Sequence, residues 1–278
     1  MNEPNAAQAT YWNDQAGPTW AEVQGQLDRQ LEGLGRRGMA ALAAKAGERI
    51  LDVGCGTGQT SLELARAVGA DGAVLGVDIS ATLLEVARRR AEGVPGLSFA
   101  EGDAQVFAFQ PGGFDGVFSR FGVMFFADPA AAFANIRKAL KPGGRLAFVC
   151  WRPPAENPMM VLPMQAAAPL LPPQPPSDPE APGPFAFADA GRTGRLLTTA
   201  GFEDVAFTPY DELVSPGDLE TTLALSFRIG GLGGILRENP ELREPVVPLV
   251  RAALAAHDGP DGVRLGAAVW IVTARSPG

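Results

Sequence analysis

The stretch Glu48–Gly58, ERILDVGCGTG, constrains this chain more than any other. Ile50, Leu51 and Val53 make a short apolar strand that runs straight into Gly54, Gly56 and Gly58. The segment that follows places Leu64, Ala65 and Val68 on one helical face. Glycines at alternate positions remove side-chain bulk from the turn and permit positive φ. A ligand can then lie on bare backbone beside the N–H groups of a helix N-terminus. The loop therefore reads as a cradle for a nucleotide-type ligand. The competing reading is a tight strand–helix turn that holds nothing.

Spacing narrows the ligand. A dinucleotide fingerprint needs G-x-G-x-x-G/A. Counted from Gly54 the last position is Gln59, and counted from Gly56 it is Ser61, so the third glycine is missing in either frame. A P-loop needs Gly-Lys-Ser/Thr, which does not follow.

From about residue 49 to 150 strands alternate with helices. The strands are RILDVG, VLGVDIS (74–80), LSFAEGD (97–103), FDGVFSR (114–120) and RLAFVCW (145–151). Ser80 is placed to cap the helix that carries Leu83, Leu84 and Ala87. Asp128-Pro129 opens a helix whose buried face is Phe133, Ile136 and Leu140, and KPGG (141–144) ends it. Alternation with short loops predicts a doubly wound parallel sheet, with ligands at the carboxyl ends of the strands.

The glycine pattern D-x-G-x-G-x-G, with Asp78 ending strand two and Asp103 ending strand three, resembles the class I S-adenosylmethionine-dependent methyltransferases. SRFGVMFFADPAAAFANIRKALKPGGRLAFVCW is similar to the small-molecule group around the ubiquinone and menaquinone C-methyltransferases. The resemblance covers about 48–151. It implies an α/β fold: a Rossmann-like seven-stranded sheet whose last strand is antiparallel and inserts between strands five and six, with a mostly helical cap. It also implies S-adenosylmethionine as cofactor and S-adenosylhomocysteine as product.

The resemblance also implies roles. Gly54, Cys55, Gly56 and Gly58 form the cradle, and Asp52 orients it or meets the methionine amine. Asp78 takes the ribose hydroxyls, Asp103 accepts from the adenine exocyclic amine and the Ala104 N–H reaches the ring; Ile79 and Gln105 are also expected to bind the cofactor. Ser119 and Arg120 are expected near the methionine half. Tyr11, Trp12 and Trp20 either close over the sulfonium, whose charge an aromatic face favours, or only anchor the N-terminal helix. Phe121, Met124, Trp151 and Arg152 are expected to line the acceptor pocket. Methyl transfer can proceed by alignment and water exclusion, so a base is optional. Arg120 and His257 are the catalytic candidates; His257, the one histidine, sits in AAHDGPDG, where an exposed helix end competes.

Four segments are expected: an N-terminal helical lid (1–47), the cofactor core (48–151), a proline-rich cover over the active site (152–188), and a C-terminal completion of the sheet (189–278). The last carries a helix over 189–200, strands over 204–214 and 263–275, and a helical insertion at about 218–257 with a flexible GGLGG (230–234).

A net charge of −8 argues against a nucleic-acid substrate, which calls for a basic surface. SRFG after strand four is not the Asn/Asp-Pro-Pro-Tyr of amino-methylating enzymes, and no Pro-Cys nucleophile appears there. Cys55 and Cys150 read as structural thiols, and no metal site is expected. With no signal-peptide pattern and no long apolar run, the chain is expected to be cytoplasmic, a monomer or homodimer acting on a small, largely apolar acceptor, aromatic or quinone-like. The alternative is a member of the fold that binds cofactor without transferring methyl.

Overall fold

The computed structural model describes residues 4–174 and 178–278. Pro175, Pro176 and Ser177 of the expected proline-rich cover lie outside them. The centre is one seven-stranded sheet in the order β3-β2-β1-β4-β5-β7-β6. Its strands are β1 (Arg49–Val53), β2 (Ala73–Asp78), β3 (Leu97–Glu101), β4 (Phe114–Arg120), β5 (Leu140–Trp151), β6 (Glu203–Val214) and β7 (Leu265–Arg275). β1 to β5 pair in parallel, while β7 runs antiparallel to both β5 and β6. The sheet is therefore the expected one, with the last strand inserted between the fifth and sixth.

Three helices lead the chain: α1 (Ala6–Thr10), α2 (Ala16–Glu22) and α3 (Gln24–Leu42), with one π turn at Tyr11–Gln15 between the first two. α4 (Gln59–Val68), α5 (Ala81–Arg90) and α6 (Pro129–Ala139) follow β1, β2 and β4. α7 (Pro158–Ala167) and α8 (Ala190–Thr199) lie between β5 and β6; α9 (Leu219–Ser226), α10 (Gly230–Glu238) and α11 (Arg243–Ala255) lie between β6 and β7. Ser80 accepts from Leu83 N–H at 3.2 Å and Asp128 from Ala131 N–H at 3.0 Å, the two N-caps read from the sequence.

Parts of the N-terminal segment do different work. α3 buries Leu31, Leu34 and Leu42 in the main core, so it is a layer over the sheet; it touches Arg120 at the end of β4 through the Leu31 carbonyl, but of the N-terminal segment only residues before α3 line the cavity at the strand ends. KPGG does more than stop a helix. The helix ends at Ala139, and β5 already pairs at Leu140 opposite Phe114 before its register breaks and resumes at Arg145 opposite Gly116. GGLGG is helical inside α10, where Leu232 and Leu236 bury one face and set the local conformation despite the glycines.

The main core turns on Phe133 of α6. Its ring meets Phe148, Phe187, Phe202 and Phe126 at centroid distances of 5.6, 5.7, 6.4 and 6.3 Å. Phe187 thus ties the end of the proline-rich stretch to the sheet. Phe133→Ala should destabilise the fold by about 3–5 kcal/mol, because four rings cannot collapse together into the space. Urea unfolding measures it; a loss below about 1 kcal/mol would mean this cluster is looser than drawn. A second cluster, including Phe227, Leu236, Val250 and Leu254, joins α7 to α9–α11 as a small helical layer of its own. No helix among the described residues is long and apolar enough to cross a membrane.

Candidate functional site

One cavity opens at the carboxyl ends of β1, β2 and β4, where the doubly wound order places ligands. Gly54, Gly56, Asp78, Ile79, Asp103, Ala104, Arg120 and Phe121 line it, so the structure brings these sequence candidates together. Trp12 and Trp20 close it from the N-terminal side.

The glycines serve separate ends. All three have positive φ: +67° at Gly54, +54° at Gly56 and +83° at Gly58. A Cβ on Gly54 would stand 2.6 Å from the Gly122 Cα, and one on Gly58 3.0 Å from the Ala87 Cβ. Those two positions let protein pack on protein. A Cβ on Gly56 would meet no atom within 4 Å, so this is the bare backbone that faces the cavity. Cys55 is buried beside it, and burial pushes its thiol well up, with the Asp78 and Asp52 charges adding to the effect. It is held as an unreactive thiol.

Asp78 ties the cradle to the second strand. It accepts from Gly56 N–H at 2.7 Å and from Ser80 N–H at 2.9 Å. Burial still raises its pKa to about 6, against the lowering effect of those two N–H groups. Asp52 is wholly buried and does not line the cavity. It accepts from Thr60 Oγ1 at 2.7 Å and Ser61 Oγ at 2.6 Å, which ties the end of β1 to the first turn of α4 beyond the loop. Desolvation raises its pKa, with the two hydroxyls and then Arg120 opposing.

Arg120 ends β4 and donates to Gln59 Oε1 at 2.6 Å. Its burial is offset by the Asp28, Asp52 and Glu63 carboxylates, so a guanidinium sits in the cavity wall without a direct carboxylate partner among the described residues. Ser119 is fully buried with an unpartnered Oγ and does not line the cavity. Asp103 accepts from Gln105 N–H at 2.9 Å through Oδ1, while its Oδ2 is buried with no partner. Gln105 is buried and turned to Asp128 N–H at 3.0 Å, away from the cavity.

The aromatic wall is partly new. Trp12 meets Trp20 and Phe125 edge-on, each at 5.3 Å between centroids. Tyr11 packs edge-on against Trp12 from outside and does not line the cavity. Phe121 has φ +66°, a strained conformation for a ring-bearing residue, and stacks on Trp151 at 4.2 Å with planes 4° apart. Trp151 thus stands behind the wall.

Other candidates lie elsewhere. Met124 is buried in the main core. Arg152 is bound to Asp211 at 2.9 Å, to Glu156, and lies over the Trp270 ring, outside the cavity. His257 is exposed just past the end of α11, where its N–H bonds to Leu254 O. None of the described residues of 152–188 lines the cavity; α7 packs on α11 instead. Sequence reading missed Asn5, Gln8, Gly122, Phe125 and Phe126, which do line it. Phe125-Phe126 after strand four offered a signal; single amides near the N-terminus offered none.

Residues 50–144 match the family described as "Methyltransferase domain". Demethylmenaquinone methyltransferase of Staphylococcus saprophyticus is 36% identical over 111 residues, 40% of this chain and 48% of that protein. The chain spans about half the length of the curated quinone relatives it matches. Phosphoethanolamine N-methyltransferase 2 of Haemonchus contortus, solved with S-adenosyl-L-methionine, is similar over 88% of this chain and 53% of that one, with 19% identity and a TM-score of 0.53. The cyclase SpnF is similar over 88% of this chain and 80% of that one, with 22% identity and a TM-score of 0.52. These two share the fold.

Proposed function

We propose that the protein, whose residues 50–144 match a methyltransferase domain, transfers a methyl group from S-adenosylmethionine to a small, largely apolar acceptor, aromatic or quinone-like. The observation that carries this reading is the convergence of Gly56, Asp78 and Asp103 on one cavity whose remaining wall is aromatic. The residues fit the cofactor: Gly56 leaves backbone bare, and Asp103 Oδ2 is a buried acceptor without a donor.

S-adenosylmethionine supplies a methyl group already activated on a sulfonium, so displacement needs alignment and exclusion of water more than a base. Asp78 would accept from the ribose hydroxyls and Asp103 Oδ2 from the adenine amine. Arg120 would hold the methionine carboxylate by its charge. Trp12, Trp20 and Phe125 would exclude water, and a ring face among them would favour the cationic sulfonium. Phe121, Phe125 and Phe126 give an acceptor an apolar surface, which agrees with a quinone-like ring and with the likeness to a demethylmenaquinone enzyme over 40% of the chain. We place the protein in solution as a monomer or homodimer, with no nucleic-acid partner.

A second reading has one observation in its favour: the cyclase SpnF shares this fold. On that reading the chain binds the cofactor without transferring methyl. Calorimetric titration with S-adenosylmethionine and S-adenosylhomocysteine, followed by transfer of labelled methyl to a panel of phenols, quinols and amines, separates the two. Micromolar binding with label on quinols or phenols is expected. Binding without transfer across the panel would favour the second reading, and absence of binding would sink both.

A further inference from the structure

Two amides of the N-terminal segment face the far end of the same cavity. Asn5 is 4% exposed although it stands just before α1, and every polar atom of its side chain is engaged. Its Nδ2 donates to Asp103 Oδ1 at 2.8 Å and to Gln105 Oε1 at 3.3 Å, and its Oδ1 accepts from Ala127 N–H at 2.7 Å. The orientation of the amide is fixed by these partners, since a flip would set its oxygen against a carboxylate and its NH2 against an N–H. Gln8 lies three residues on, on the same helical face. It lines the cavity, and its Oε1 is buried without a donor. Asp103 Oδ2 is in the same state.

The segment is also fastened farther along. Asn13 donates to Ile79 O at 3.2 Å and accepts from Ala81 N–H at 2.9 Å, and Ser80 Oγ donates to Trp12 O at 2.8 Å. These bonds hold the chain over the β2–α5 loop independently of Asn5. The Asn5 contacts therefore have a narrower consequence. They occupy Asp103 Oδ1 and leave Oδ2 as the oxygen without a partner.

We propose that Asn5 and Gln8 complete the purine subsite and make it selective for a 6-amino over a 6-oxo purine, Asn5 as a positioning residue for Asp103 and Gln8 as a direct contact. This rests on the cofactor reading above. An exocyclic amine carries two N–H donors, and the subsite offers two buried acceptors that lack donors. A 6-oxo purine would bring a third acceptor among them, and its one neighbouring donor, N1–H, could serve one of them at most, so buried acceptors would be left unsatisfied.

The test compares S-adenosylhomocysteine with S-inosylhomocysteine, its 6-oxo analogue, by calorimetry on the full chain. The wild type should prefer the amine by about 100-fold or more. Asn5→Ala should lower that preference about tenfold, by letting the Asp103 carboxylate turn, and Gln8→Ala should lower it similarly by removing one acceptor. Asn5→Asp should be worse than Asn5→Ala for both ligands, since it sets a carboxylate against Asp103. If Asn5 and Gln8 only anchor the N-terminus, both analogues weaken in proportion; an unchanged ratio in both variants overturns the proposal. A wild type that binds the two analogues equally also overturns it and leaves the cofactor reading standing. A wild type that binds neither overturns the cofactor reading itself, and this proposal with it.

Discussion

Replacing Asp78 with alanine should weaken S-adenosylhomocysteine binding by at least about 100-fold and leave the chain folded. The affinity loss follows from removing the carboxylate that faces the cavity from the end of β2. The survival of the fold follows from two opposed effects. The variant loses acceptors for Gly56 and Ser80 N–H, now at 2.7 and 2.9 Å, which costs about 1–3 kcal/mol for each group left unpaired. It also loses a buried acid whose pKa stands at about 6 against an ordinary 3.8, a burden on the ionised form of roughly 3 kcal/mol. Asp78→Asn should bind as weakly and melt lower than Asp78→Ala. Its single carbonyl can serve one N–H, and its NH2 must then face the other. Calorimetry and thermal melting measure the two effects separately. Unchanged affinity in Asp78→Ala would remove the ribose site from this cavity.

The same carboxylate sets a pH dependence, and the two signs differ. For stability, the folded pKa lies above the unfolded value, so the folded chain binds the proton more tightly. This contribution is full below about 3.8 and is lost as pH rises through about 6. For binding, the ionised form is the one that accepts from hydroxyls. Affinity should rise about tenfold per pH unit up to about 6 and level off above it. In Asp78→Ala that slope should vanish.

Most of the cofactor end was legible because it is written locally. The strand, the alternate glycines and the two aspartates at strand ends lie in short windows, and doubly wound topology brings such ends to one edge of the sheet. The caps at Ser80 and Asp128 were legible for the same reason. What failed needed side-chain direction. Trp151 and Arg152 end β5 beside the site, yet one stacks behind Phe121 and the other turns out to Asp211 and Trp270. Met124 lies close in sequence to the cavity residues Phe121 and Phe125 but points into the core. Asn5 depends on contacts about 100 residues away, with Asp103 and Gln105, and Gln8 on a cavity built from distant strand ends, so no local pattern marks either. The proline-rich stretch was expected over the site because its apolar residues need burial. They find it instead against the sheet, through Phe187, and against the helical layer of α9–α11.

The glycine loop yields the sharpest contrast between stability and binding. Gly54→Ala and Gly56→Ala both place a methyl group on a left-handed residue, at φ +67° and +54°, which costs each about 1–2 kcal/mol. They differ in what the methyl meets. At Gly54 it would stand 2.6 Å from the Gly122 backbone, and Gly122 has no slack in return, since its own Cβ position lies 2.7 Å from Gly54. The loops after β1 and β4 must part, adding about 1–3 kcal/mol, so Gly54→Ala should lose several degrees of Tm and its ligand affinity together. At Gly56 the methyl meets no protein atom within 4 Å and projects where a ligand would rest on bare backbone. Gly56→Ala should therefore melt only a few degrees below wild type while S-adenosylhomocysteine binds at least about tenfold more weakly. Scanning fluorimetry without and with ligand reads both quantities from one sample. If Gly56→Ala keeps wild-type affinity, the ligand does not lie against this face of the loop, and Gly56 is there for the turn alone.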